Sequence, residues 1–196
     1  MEQAAIPRND PERENRGVPC PATESLRPES TGRAGMAPGR QIDASSFSGD
    51  FLEFIRLLEK HRVEYVIVGG EAVIFHGYPR FTGDIDFFYD RTEPNAVRLF
   101  QSLSEFWNGN IPNLRNAEEL MEEGLVTQFG RPPYRIDLLS SIDGVPFSEA
   151  WDTRERVEII GGGAPMYAYY LGKEALLKNK KASGRPKDLD DLQNLE

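Results

Sequence analysis

Residues Val66 to Tyr89 narrow the possible folds of this chain more than any other stretch. A short β-branched run, Val66-Ile67-Val68, ends on Gly69-Gly70, a brief helical segment follows, and a second strand opens with Asp84-Ile85-Asp86. Side chains alternate along a strand, so Asp84 and Asp86 share one face while Ile85 and Phe87 turn to a core. Their Cα atoms then stand roughly 6.6 Å apart, close enough for the carboxylates to converge. Two like charges on one face repel, and one of them must hold its proton more tightly unless a cation intervenes. Oxygen-only ligands of this kind suit Mg²⁺ or Mn²⁺. The glycine pair, opening a helix directly after a buried strand, offers bare backbone N–H groups of the sort that phosphate seeks. Phosphate at one end and a metal at the other point to a nucleotide.

A third acid fits this frame. Leu125–Phe129 and Tyr134–Leu139 read as a strand pair joined through Gly130-Arg131-Pro132-Pro133, with Asp137 central on the second strand between Ile136 and Leu138. Alternation puts Asp137 on the face of Arg135 and Leu139, and makes it the natural partner of Asp84 and Asp86. The remaining elements follow from periodicity and breakers. A first helix starts near Phe47, with Asp50 and Glu53 as a capping box, and ends at His61-Arg62. Glu93–Trp107 reads as a helix that buries Val97, Phe100, Leu103 and Phe106 or Trp107. Ala117–Glu123 reads as a short helix capped by Asn116, and Phe147–Asp152 as another. Arg156–Ile160 and Pro165–Tyr169 flank a Gly161–Gly163 hairpin turn, and Lys173–Ala182 and Lys187–Leu195 close the chain as helices. This order predicts an α/β (α+β) fold, a mixed β-sheet with helices packed mainly on one face.

Gly69-Gly70, then Arg80, Thr82 and Asp84-Ile85-Asp86, with a later strand acid at Asp137, resemble the signature of the DNA polymerase β-like nucleotidyltransferase superfamily. The likeness is strongest to its small bacterial branches, the AbiEii-type toxins and the minimal nucleotidyltransferases. It implies a metal-dependent transfer of a nucleoside monophosphate from an NTP such as ATP to an acceptor hydroxyl, on RNA, protein or a small molecule. Asp84, Asp86 and Asp137 would hold two Mg²⁺ or Mn²⁺ ions, with Asp137 on the nucleophile's ion as catalytic acid–base. Gly69, Gly70, Arg80 and Thr82 would face the nucleotide, Arg80 meeting either phosphate or an acid of the fold. Lys173 or Lys178, from a basic C-terminal helix, would meet the triphosphate. A toxin–antitoxin or phage-defence setting, with a cognate toxin or antitoxin protein as partner, also follows from the likeness. Two other readings stand beside it. One is a catalytically silent nucleotide-binding or antitoxin-like module. The other takes Asp-x-Asp as a sugar-nucleotide metal site, which the glycine pair fits poorly.

Composition bounds the rest. Residues 1–46 hold six prolines and almost no aromatic side chain, a composition that predicts a disordered tail ahead of a domain at 47–196. An upstream extension of a start at Met36 would explain the same stretch. The tail carries six basic and seven acidic residues, which leaves 17 basic against 25 acidic and a net charge of −8 in the domain. Such a balance opposes a general nucleic-acid-coating surface but not a local basic groove. Cys20, the single cysteine, excludes an internal disulfide, and with His61 and His76 alone no zinc site can be built. No apolar run approaches the roughly 20 residues of a membrane span, so the expectation is a cytoplasmic protein that does not engage membranes.

Overall fold

The computed structural model describes residues 40–195. What composition implies for residues 1–39, including Cys20 and Met36, lies outside the described residues.

Helix α1, Gly49–Lys60, forms because Phe51, Phe54, Ile55 and Leu58 repeat on one face and are buried there. Its cap is Ser48, whose Oγ accepts from the Phe51 N–H at 3.3 Å, and not the Asp50–Glu53 pair. Asp50 lies two residues further on, in the first turn, where the helix dipole favours an acid. Strand β2, Tyr65–Val68, is buried at every position. It runs straight into α2, Gly69–Phe75, so the glycines are the first turn of that helix. Strand β3 is Asp84–Tyr89 and helix α3 is Glu93–Phe106.

The buried face of α3 is rotated from the one expected. Ala96, Leu99, Leu103 and Phe106 point inward with Asn95 and Ser102, and Val97 is 41% exposed. Asn95 sets this rotation. Its amide donates to the carbonyls of Glu64 and Asp90, both at 2.9 Å, and its Oδ1 accepts from the Glu64 N–H at 2.8 Å. Hydrogen bonds to three backbone groups outweigh one exposed valine. The expected helix at Ala117–Glu123 is a single 3-10 turn, Glu118–Met121, with Asn116 Oδ1 accepting from the Glu119 N–H.

The chain continues as β4 (Val126–Phe129), β5 (Arg135–Leu139), α4 (Phe147–Asp152), β6 (Glu155–Ile160), β7 (Met166–Tyr170), α5 (Lys173–Ser183) and α6 (Pro186–Leu195). Residues 40–46 correct the domain boundary. Gln41–Asp43 form β1, an edge strand parallel to β6, and Ala44–Ser46 a 3-10 turn with Ala44 buried. A three-residue edge strand carries one inward apolar side chain, Ile42, too little for periodicity to register.

Among the described residues seven strands form one mixed sheet in the order β1-β6-β7-β2-β3-β5-β4. The fold class is the expected mixed α/β one. On one side of β3, Phe87 meets Phe54 of α1 and Tyr65 of β2 edge-on, and Phe54 meets Phe106 of α3. On the other side stand Asp84, Asp86 and Phe88, the last packed on Phe147 of α4. One face of β3 therefore anchors the core, and the opposite one packs at Phe88 but is only partly covered at Asp84 and Asp86. No helix among the described residues is long and apolar enough to cross a membrane.

Candidate active site

Strand pairing assembles the acids. β3 and β5 run parallel in a register that sets Asp86 opposite Asp137 and Asp84 opposite Arg135. All four side chains project from one face, as alternation requires. Opposite neighbours in a sheet are close enough to interact directly, so two carboxylates here share one small volume. Burial first, then the charges of Asp84 and Asp137, push the Asp86 carboxyl up to about 7. Lys187 and Arg135 pull in the other direction without cancelling this.

The glycine pair is demanded by what packs against it. Gly69 has φ +64, and a Cβ there would sit 1.9 Å from Asp86 Oδ2. A Cβ on Gly70 would sit 2.5 Å from Thr82 Oγ1. Only hydrogen at both positions lets the Asp-x-Asp segment and its lead-in lie against the β2–α2 turn. Thr82 in turn donates from Oγ1 to Asp84 Oδ1 at 2.9 Å.

Around these residues is a cleft of about 690 Å³ lined by Gly69, Gly70, Arg80, Thr82, Asp84, Asp86, Arg135 and Asp137. Gln128, Lys180, Arg185 and Lys187 are among its other polar residues, with Glu123 and Asp143. That volume lies in the range of small-molecule sites. Seven of the nine residues singled out from the sequence thus meet in one cavity. Lys173 and Lys178 stand outside its lining. Lys173 is exposed, and Lys178 Nζ pairs with Glu149 Oε2 of α4 at 2.6 Å.

Two of the C-terminal cations in the cleft, Lys180 and Arg185, belong to a charge network between α5, α6 and the segment before β3. Lys180 Nζ lies 2.8 Å from both Asp188 Oδ1 and Asp191 Oδ2, and all three side chains are at most 1% exposed. Arg80, one of the predicted nucleotide contacts, takes an acid of the fold: its Nε is 2.7 Å from Asp191 Oδ1 in an ion pair too bent for a hydrogen bond, and Nη2 donates to Oδ2 at 3.2 Å. Arg185 Nε donates to Asp188 Oδ2 at 2.6 Å. Burial opposes ionisation of Asp188, but hydrogen bonds from Arg185, Lys180 and Ser183 outweigh it and hold the carboxyl well below its ordinary range. Gly184, left-handed at φ 61, ends α5 and turns the chain so that Arg185 and Lys187 border the acids. A run of cations in sequence gives no hint of which ones turn inward. The acids of α6 three residues apart, Asp188 and Asp191, were the available signal that buried partners were needed.

Metal ligation is chemically reasonable here. The donor set is three hard carboxylates, and burial first, then the charges of Asp84 and Asp137, raise the affinity of Asp86 for its proton. Among the described residues no group of three or more acids, histidines or cysteines stands ready-spaced around an ion. The Arg135 guanidinium lies between Asp84 and Asp137, bonded to both. A side-chain cation thus already sits between two of the three carboxylates.

Comparison with known proteins adds one match. Residues 50–196 fit a family model described as "nucleotidyltransferase of unknown function (DUF6036)". No curated protein matches the chain.

Proposed function

The chain belongs to this nucleotidyltransferase family, and from that premise we propose that it transfers a nucleoside monophosphate from an NTP to an acceptor hydroxyl with Mg²⁺ or Mn²⁺ as cofactor. The observation that carries the reading is the β3–β5 register, which sets Asp86 against Asp137 with Asp84 one pleat away, beside Gly69-Gly70. Asp84, Asp86 and Asp137 would hold the ions. When bound, these supply Lewis-acid activation of the attacking oxygen and offset charge on the leaving pyrophosphate. The chain's own groups do the rest. Asp137, at the centre of β5, accepts the acceptor's hydroxyl proton on a carboxylate oxygen. Arg185 and Lys187, exposed at the start of α6, meet the triphosphate in the role first assigned to Lys173 or Lys178. The Gly69-Gly70 turn lets the phosphates approach the backbone closely. Thr82 orients Asp84 through its hydroxyl.

The test incubates the full chain with each α-labelled NTP, Mg²⁺, and separate pools of RNA, protein and small hydroxylated compounds. Label on one pool, lost in Asp137→Asn, supports transfer and names the acceptor class. NTP retained by the protein with label on no pool overturns it and leaves the catalytically silent binding module. The toxin–antitoxin setting rests on the likeness to AbiEii-type toxins. Growth arrest on expression, abolished by the same substitution and by a neighbouring partner gene product, is its expected sign.

A further inference from the structure

Two of the three acids already carry a cation, and the third carries none. Arg135 Nε donates to Asp137 Oδ1 at 2.7 Å, and its Nη2 donates to Asp137 Oδ2 at 2.8 Å and to Asp84 Oδ2 at 2.6 Å. Gln128 Nε2 donates to Asp137 Oδ2 at 2.9 Å, and Thr82 to Asp84 Oδ1. Every oxygen of Asp84 and Asp137 is thus engaged by a protein donor. No hydrogen bond among the described residues reaches the Asp86 carboxylate. We propose that Arg135 is an internal counter-cation that a divalent ion must displace, so that loading the site exchanges guanidinium for metal and links metal binding to nucleotide binding. This rests on the reading that Asp84, Asp86 and Asp137 are the metal ligands.

The chemistry constrains how the exchange can happen. A guanidinium does not give up its proton at any ordinary pH, and hydrogen bonding to Asp137 makes this one still harder to deprotonate. It can leave the acids only by moving. Arg135 has room to do so: it is the first residue of β5, its side chain is 21% exposed, and Tyr134 before it is 55% exposed. Rotation about its side-chain torsions would free one carboxylate oxygen on Asp84 and both on Asp137, apart from the Gln128 contact. The displaced fork would then stand on the wall of the same cleft, and its geometry matches phosphate oxygens bidentately. Metal alone must therefore eject a cation that has nowhere better to go. Metal with a triphosphate supplies both the replacement cation and the anion that receives the old one. The site is poorly loaded by free ions and well loaded by metal–nucleotide.

Mn²⁺ binding to the full chain, followed by electron paramagnetic resonance with and without a non-hydrolysable analogue of each NTP, reads this directly. Wild type is expected to bind Mn²⁺ weakly alone and more tightly with the productive analogue. Arg135→Gln is expected to bind Mn²⁺ alone at least about tenfold more tightly, the equivalent of one lost charge-assisted hydrogen bond, with the gain from nucleotide reduced. Equal or weaker Mn²⁺ affinity in Arg135→Gln overturns the proposal. Asp86→Asn and Asp137→Asn separate the two layers. If neither alters Mn²⁺ binding, the metal reading itself fails; if both abolish it while Arg135→Gln matches wild type, only the exchange fails. A wild-type measurement guards against a misfolded variant. The Arg135 Nε–Hε resonance, assigned by its loss in Arg135→Lys, should shift on Mg²⁺–nucleotide addition, and an unmoved signal at saturation refutes displacement.

Discussion

Lys180 provides the sharpest test of how the C-terminal helices are held. Its ammonium lies 2.8 Å from one oxygen of Asp188 and 2.8 Å from one of Asp191, with no more than 1% of any of the three side chains exposed. Lys180→Met keeps the apolar stem and removes the charge. Breaking a buried ion pair from one side costs about 3–5 kcal/mol, because the partner is left dry and charged. Here two carboxylates lose a partner, but each keeps another: Arg185 on Asp188 and Arg80 on Asp191. We therefore take the lower end, about 3 kcal/mol, as the expected loss. For a chain of this size that is a fall in Tm of roughly 6–12 °C. Calorimetry at neutral pH on the full chain measures it, and the double variant Lys180→Met/Asp191→Asn should recover part of the loss by removing one stranded charge. A Tm within 2 °C of wild type, with transfer activity lost, would refute the reasoning. It would mean that Lys180 serves the triphosphate and that the acids of α6 are satisfied without it.

Three further outcomes follow from the geometry. Gly69→Ala must place a Cβ 1.9 Å from Asp86 Oδ2 at a backbone φ of +64, so it should cost more than about 1 kcal/mol and abolish labelling, while Gly49→Ala, with nothing within 4 Å, should melt as wild type does. Asp86, raised to about 7, binds its proton more tightly folded than unfolded; stability should therefore fall as pH rises from about 4 to about 7, and melts of Asp86→Asn across that window should lose this slope. Asn95→Ala strands backbone groups of Glu64 and Asp90 and should lower urea stability by about 1–3 kcal/mol without changing nucleotide binding.

Much of the site was readable in advance because it obeys local rules. Period-two alternation is enough to put Asp84 and Asp86 on one face and Asp137 on the face of Arg135. The turn chemistry of Gly69-Gly70 needs only the two residues and the strand before them. What alternation could not say is which strands are neighbours. The register of Asp86 against Asp137 is a pairing between residues 51 positions apart, with α3, a 3-10 turn and β4 between them. The same limit explains the lysines. Lys173, Lys178, Lys180 and Lys187 look alike along the chain, and only the packing of α5 on α6 buries Lys180 while leaving Lys173 exposed.

Arg135 shows the boundary most clearly. Its sharing of a face with Asp137 was evident two residues away, yet its bond to Asp84 exists only because β3 lies beside β5. Composition, periodicity and turn residues, which act over a few residues, determined the mixed α/β class, nearly every element and the identity of the acids. Sheet order, the rotation of α3 and the choice of which cations face the cleft were decided by tertiary structure. Those depend on whether a buried charge or amide finds its partner across the fold, and that energy has no expression in the chain until distant segments meet.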